Sequence, residues 1–169
     1  CYAQLDKYKK ALKVFRQAIN DDPNYSKAHS GLAMCLLMLE RHDEALASIE
    51  KAIEISPEEP FNYMNKAYIL SSSTLDLEVD SLKSHLLNEA ENNINNAIRL
   101  DTSRSRTYYD NNLGLIYLER EQYDTAEVLF SNKVDRVSLN NLGVLYKRKG
   151  EFNKSRSKFE ESLVLAPRY

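Results

Sequence analysis

The chain has 169 residues, a formal net charge of -2 and a pI near 6.0, with 43% hydrophobic and 28% charged residues. These values are typical of a folded chain and exclude both wholesale disorder and a strongly basic nucleic-acid-binding domain. No apolar run approaches the roughly 18 residues that span a bilayer, and Cys1 and Cys35 are too few cysteines for a disulfide scaffold or a zinc cage.

One pattern of large apolar residues and small residues occurs five times along the chain. It begins as Tyr8, Ala11, Phe15 and Ala18, and its spacing of three, four and three residues is that of one helix face. The later occurrences begin at His42, Leu87, Tyr123 and Phe152. The pattern therefore returns after 34, 45, 36 and 29 residues. Another periodic stretch precedes each occurrence from the second on, so each unit is predicted to be a helical hairpin.

The repeats predict one array of five units in chain order. These are 1–25 (a partial unit), 26–59, 60–104 (with an insertion near 71–82), 105–135 (shortened) and 136–169. The insertion is expected to extend the second helix of the third unit at its N-terminal end, because Leu82, Leu86 and Ala90 continue its apolar stripe. The first unit is expected to begin midway through its first helix, which would make the chain a fragment of a longer array.

The shortened fourth unit leaves two alternatives open near residues 132–136. The last two hairpins are either joined abruptly or separated by a loop that the sequence lacks. We favour the missing loop, because an abrupt join would force unusual packing between the last two units.

Two segments carry a more specific signature, "NNLGLIYLEREQYDTAEVLF" and "LNNLGVLYKRKGEFNKSRSKFEESLVLAP". In both, Leu-Gly, Tyr, a small residue and Phe stand at the places they take in the tetratricopeptide repeat family, which the chain resembles. The resemblance implies an all-α fold, a right-handed superhelical array (an α-solenoid) of about ten antiparallel paired helices. It implies a way of binding and not a particular partner, because the family's fold serves many unrelated partners.

In such an array the first helices of the hairpins line a concave groove. Asn65, Asn112 and Asn141 take the same place in three successive units, which resembles the asparagine ladders that hold an extended peptide in some family members. An amide side chain offers two donors and an acceptor, enough to pair with both polar groups of a peptide unit. The expected peptide-binding residues are Asn65, Asn112, Asn141, Met64, Tyr68, Tyr108, Asn111 and Asn140, with Lys27, Ser30, Met34, Phe61 and Val137 at other groove-facing places. Composition bias is the alternative, because the chain has 15 asparagines.

No arrangement of residues in the sequence predicts catalysis. His29, His42 and His85 lie in different units without a glutamate or cysteine at ligand spacing, and there is no glycine-rich phosphate loop. We therefore expect no enzyme activity, no cofactor and no metal. The two thiols and the lack of a leader favour a cytoplasmic location.

The favoured function is a non-enzymatic protein-protein interaction module within a larger scaffold or adaptor, which binds an extended peptide or partner segment in its groove. One alternative is RNA binding through the basic fifth unit. Its cations are Lys147, Arg148, Lys149, Lys154, Arg156 and Lys158. Another is a structural spacer that self-associates through exposed array ends, with Tyr2 and Phe15 at one end and Phe159 and Leu163 at the other. Membrane association is not expected.

Overall fold

The computed structural model describes residues 2–74, 79–103 and 106–165, without the side chains of residues 2–5, 106 and 107. In these ranges the protein has nine α-helices and no strand. The helices are α1 (Tyr2–Asp21), α2 (Ser26–Leu37), α3 (His42–Ile55), α4 (Pro60–Ser72), α5 (Asp80–Leu100), α6 (Asp110–Glu119), α7 (Tyr123–Ser131), α8 (Arg136–Arg148) and α9 (Phe152–Val164). A 3-10 helix, Arg106–Tyr109, precedes α6. The predicted all-α fold of paired helices is confirmed.

The helices belong to two compact units, Cys1–Asp101 (unit 1, α1 to α5) and Thr102–Tyr169 (unit 2, α6 to α9). In unit 1, α2 packs against α3 and α4 against α5, and in unit 2 α6 packs against α7 and α8 against α9. The first helices of successive hairpins also touch, α2 with α4 and α6 with α8. Within the described ranges, every helix is too short or too polar to cross a membrane.

The core of each hairpin comes from the repeated pattern. Ala45, Ile49 and Ala52 of α3 are fully buried, and so are Ala126 and Phe130 of α7. Small residues at these places allow neighbouring helices to approach closely, and large apolar residues between them fill the interface. The 3-4-3 spacing in the sequence therefore marks the buried face of each second helix.

Three helical hairpins reverse direction through the same backbone motif. Glu40, Glu121 and Gly150 each adopt a left-handed conformation, with φ of 59°, 60° and 77°. In the first of these turns, the N–H of Arg41 donates to the carbonyl of Leu36 at 3.0 Å and the N–H of Glu40 to that of Leu37 at 2.9 Å. This is the Schellman pattern, which satisfies carbonyls left open at a helix end. The turns at Glu121 and Gly150 contain the same two backbone hydrogen bonds.

The beginning of the chain differs from the expectation. Residues 2–21 form one continuous helix, α1, and not the end of a first helix followed by a second one, as the expected partial first unit requires. The place equivalent to Glu40 is Asp6, and the residues around it, Leu5 and Lys7 among them, favour a helix.

The third hairpin has the predicted extension. Helix α5 begins at Asp80 and has 21 residues, compared with 14 in α3. Its buried stripe starts only at Leu87, however, and Leu82 is 45% exposed. The added turns thus extend beyond the packed interface instead of enlarging it.

The last two hairpins are joined abruptly. Residues 132–135 connect α7 to α8, and the Asp135 carboxylate caps α8 by accepting the N–H of Ser138 at 2.8 Å. Helix α8 packs against α6 and α7 in the same way that α4 packs against α2 and α3. The expectation that so short a join forces unusual packing is wrong, because one well-capped helix start is enough to set the direction of α8.

Candidate functional site

In unit 1, the first helices α2 and α4 lie side by side and enclose an open cavity of about 420 Å³. We call this surface the α2–α4 face. Its lining includes Lys27, Ser30 and Met34 of α2, with Glu59, Phe61 and Asn65 at and after the start of α4. Apolar and polar groups thus line the same cavity, and a charge of each sign stands in its wall.

Asn65 links the two helices across this face. Its Nδ2 donates to Ser30 Oγ at 3.0 Å, and the side chain is half-buried. In the part of the chain that the structure describes, its carbonyl oxygen has no hydrogen-bond partner. Asn65 is therefore held in one orientation and still offers an acceptor.

The neighbouring Asn62 has a purely structural role. It is 2% exposed, and its Nδ2 donates to the carbonyl of Ala52 at 3.1 Å and to Ser26 Oγ at 3.2 Å. The Ser26 hydroxyl donates to the same carbonyl at 3.0 Å. These bonds satisfy the C-terminal end of α3 and fix where α4 begins.

The aromatic and sulfur groups of the face are only partly available. Tyr68 and Met34 pack at the edge of the unit 1 core, and Met64 is half-buried. Phe61 is also half-buried. Glu59 was not foreseen as a lining residue, because it precedes α4, where its side chain caps the helix by accepting from the Phe61 N–H at 3.3 Å.

In unit 2, α6 and α8 form the equivalent α6–α8 face, and two of its amides are already bonded. Asn111 Nδ2 donates to Ser138 Oγ at 3.0 Å, and Asn141 Nδ2 donates to Asn111 Oδ1 at 3.3 Å. Asn141 is only 9% exposed. The ladder prediction therefore needs correcting at Asn141, whose amide lies between two helices instead of on an open face.

Other groups of the α6–α8 face remain accessible. Asn140 is exposed, and Asn112 is half-buried with no hydrogen bond to any described residue. Tyr108 is 39% exposed and packs edge-to-face on Tyr109, with ring centroids 5.2 Å apart, while Val137 is 57% exposed. This face thus combines amides with an exposed aromatic ring and an exposed apolar residue.

Charged side chains hold the helices together away from these faces. In unit 1, Lys66 lies between Glu50 and Glu89, 2.9 and 3.0 Å away. Burial by itself lowers the pKa of Lys66, but its hydrogen bonds to both carboxylates outweigh burial and the pKa is raised. One ammonium group therefore connects α3, α4 and α5.

In unit 2, Glu127 connects α7 to α8. It accepts from the Tyr146 hydroxyl at 2.8 Å and from Lys149 Nζ at 3.0 Å. The Tyr146 bond, with Lys149 adding to it, lowers the pKa of Glu127. Burial and the bond to Glu127 raise the pKa of Tyr146 to about 12.

Most cations in the basic segment of the fifth unit pair with acids of the same chain. Lys154 pairs with Glu151 at 2.6 Å, Arg156 with Glu160 at 2.9 Å and Lys158 with Glu161 at 2.9 Å. Arg148 and Lys149 also lie against carboxylates. Among the described residues, five of the six cations of this segment are thus matched by an acid, with Lys147 as the exception. Such a surface has little net attraction for phosphates, which counts against the RNA-binding alternative.

The remaining reactive residue types have ordinary surroundings. His29 Nε2 lies 2.9 Å from the Pro23 carbonyl and His42 Nδ1 lies 3.1 Å from Ser73 Oγ, while Cys35 is a buried free thiol whose pKa is raised by burial. Among the described residues, no three or more histidines, cysteines and acids are grouped as they would be around a metal. Cys1 lies outside the described residues.

The residues expected at exposed array ends differ in their burial. Phe15 and Phe159 are half-buried, whereas Leu163 is 72% exposed. The side chain of Tyr2 lies outside the described part. Self-association through these ends stays a prediction.

The comparisons with known proteins agree with this arrangement. Residues 2–63 match a family model described as "Tetratricopeptide repeat". A thermophilic TPR protein of Thermus thermophilus has a similar structure, with a TM-score of 0.85 and 20% identity over 99% of this chain and 87% of that one.

Two further solved structures show the same fold. A chain of the Cut9-Hcn1 hetero-tetramer of the APC/C matches with a TM-score of 0.70 and 16% identity, over 98% of this chain and 32% of its own length. BtubC from P. vanneervenii matches with a TM-score of 0.61 and 21% identity, over 96% of this chain and 78% of that one. At these identities the likeness extends to the fold alone.

Proposed function

We propose that the chain, whose residues 2–63 match the tetratricopeptide repeat family, is a non-enzymatic protein-interaction module that binds an extended peptide on its α2–α4 face. The partner is a segment of another protein, and the chain supplies a preformed surface for it. Unit 2 offers a second contact region on its α6–α8 face.

The cavity between α2 and α4 is the observation that carries this proposal. Its volume of about 420 Å³ is in the range of small binding pockets, and Met34 and Phe61 give it apolar walls. A large apolar side chain of the peptide would enter here. Met34 and Phe61 suit the binding of such a side chain, because both provide a large contact area and the methionine can adapt its shape.

The polar groups of the same face would hold the peptide backbone. The carbonyl oxygen of Asn65 can accept a peptide N–H, while Ser30 keeps the amide in place. Lys27 and Glu59 stand in the wall of the cavity, where they favour a peptide with charges of both signs beside its anchor.

In unit 2, the proposed contacts are Asn112, Asn140, Tyr108 and Val137. Asn111 and Asn141 act indirectly, since their mutual hydrogen bond positions α6 against α8. In this proposal, separate amides replace the three-residue ladder. They are Asn65 on the α2–α4 face and Asn112 and Asn140 on the α6–α8 face.

A peptide selected from a random display library on the intact chain tests the proposal. We expect Phe61→Ala to weaken the affinity of that peptide by about tenfold or more, because a buried aromatic anchor contact is lost. Asn65→Ala should weaken it between a few-fold and about tenfold, the value of one net hydrogen bond. Titration calorimetry measures both.

Asn153→Ala is the matched control, because Asn153 is an exposed amide on the second helix α9. Its peptide affinity should equal that of the unchanged chain. Unchanged affinity of both Phe61→Ala and Asn65→Ala, with their helical content retained, would contradict binding at the α2–α4 face.

A further inference from the structure

We propose that the outer surface of α1 is a second docking site, separate from the α2–α4 face, which takes an acidic segment of a partner protein. The site, here called the basic face, consists of Lys7, Lys9, Lys10, Lys13 and Arg16. It lies on a second helix of the array and shares no residue with the peptide-binding surface proposed above.

Helix geometry places the five cations away from the core. Tyr8, Leu12 and Phe15 of α1 pack against the unit 1 core. The cations fall between these positions and are all exposed. From Lys7 to Arg16 the basic face is about 14 Å long, at 1.5 Å per residue.

These cations differ from most of those in the fifth unit, because no carboxylate in the described part of the chain pairs with them. In α9, by contrast, Lys154, Arg156 and Lys158 are each paired with a glutamate within 3.0 Å. Like charges three and four residues apart weaken a helix, so the basic face is unfavourable for α1 itself and becomes favourable when an acidic partner neutralises it.

Spacing on the helix indicates what kind of segment fits. Lys9, Lys13 and Arg16 are related as i, i+4 and i+7, so they line up along one side of α1. A partner helix with carboxylates at the same spacing could pair with all three. Val14 is 67% exposed and lies one turn after Lys10, at the opposite margin of the basic face from Lys9 and Arg16. There it offers an apolar contact to the edge of an amphipathic acidic helix.

The same features disfavour a nucleic acid as the occupant. Asp6 lies within the helix, and Asp21 and Asp22 follow Arg16 at its other end. A phosphate backbone that extends past the short basic face would meet these carboxylates, and it would gain nothing from Val14. A short protein segment can end before them.

The intact chain and a synthetic helical peptide of about 15 residues provide the test. The peptide carries glutamates at i, i+4 and i+7 and a leucine beside them, and its counterpart has glutamines instead. Fluorescence anisotropy at about 50 mM salt should detect binding of the glutamate peptide only, and the affinity should fall as salt is added.

Two matched triple variants separate a specific site from general charge. Lys9→Gln with Lys13→Gln and Arg16→Gln should weaken binding by about tenfold or more. Lys154→Gln with Arg156→Gln and Lys158→Gln removes the same charge from α9 and should change the affinity less than about twofold. Equal losses in both triple variants, or no binding of the glutamate peptide, would overturn the proposal.

Further controls identify the class of partner. Val14→Ser should weaken binding of the glutamate peptide, and Phe61→Ala should leave that binding unchanged. The second result keeps this test independent of the α2–α4 face. A DNA duplex of about 15 base pairs should bind more weakly than the peptide at the same salt concentration. Tighter binding of the duplex would overturn the assignment to a protein segment.

Discussion

At the scale of single residues, equivalent positions acquire different roles from the side chains opposite them. Asn65 and Asn141 take the same place in their hairpins, but Asn65 meets a serine on α2 and keeps a free acceptor, whereas Asn141 meets Asn111 and is buried. The sequence shows the shared place in the repeat. It does not show how far each amide is covered, because that depends on neighbours about 30 residues away in the chain.

Gly114 illustrates a residue that the packing fixes. A Cβ atom built on it would lie 2.4 Å from the ring of Phe130, which is fully buried. We expect Gly114→Ala to lower the free energy of unfolding by about 1–3 kcal/mol, because the ring cannot move without displacing α7 from α6. Urea denaturation followed by circular dichroism measures this loss.

A compensating change tests the cause of that loss. Adding Phe130→Leu to Gly114→Ala makes room for the methyl group, so the double variant should lose less stability than the two single losses added together. Strict additivity of the two changes would show that the ring is not the obstacle.

At the scale of helices, the Tyr146–Glu127–Lys149 link makes the contact between α7 and α8 sensitive to pH. The pKa of Glu127 is lowered below its ordinary value of 4.5, so the unfolded chain binds this proton more readily than the folded chain. The stability that Glu127 contributes is therefore present above pH 4.5 and is lost as the pH falls through the lowered pKa.

We expect Glu127→Gln to lose less stability than the unchanged chain between about pH 6 and about pH 3. Urea midpoints at several pH values measure the difference. Glu160→Gln serves as the control, because Glu160 pairs with Arg156 within one exposed helix and should leave the acid dependence nearly unchanged. Identical pH profiles for Glu127→Gln and the unchanged chain would exclude the link as the cause.

The repeat pattern predicted the helical hairpins well, because their buried faces repeat with fixed spacing. It failed at α1, which continues as one helix through residues 2–21. It also did not show that Asp135 caps α8 directly after residues 132–134. Helix ends depend on such single contacts. Likewise, Glu40 and Glu121 adopt a left-handed backbone conformation that their residue type does not predict, whereas a glycine such as Gly150 does indicate it.

At the scale of the whole molecule, the division into unit 1 and unit 2 determines how far a local change should spread. In a repeat array each hairpin is stabilised chiefly by its neighbours. Ala45 is fully buried in unit 1, so Ala45→Leu should overpack the contact between α2 and α3 at a cost of about 1–3 kcal/mol.

Hydrogen exchange on Ala45→Leu shows how this cost is distributed. The amides of α2 and α3 should exchange faster, while those of α8 and α9 should keep their protection, because they belong to the other unit. A uniform increase of exchange throughout the chain would contradict local coupling and would indicate one cooperative molecule.

The left-handed turns also determine where this architecture can grow. Residues added inside a helix rotate every later side chain by about 100° each and turn the buried face outwards. Residues added at the turn, where Glu40, Glu121 or Gly150 stands, lengthen only the tip of a hairpin. A Cβ atom on Gly150 would meet nothing within 4 Å. We therefore expect these tips to accept an inserted reporter or folded domain while both proposed binding surfaces keep their register.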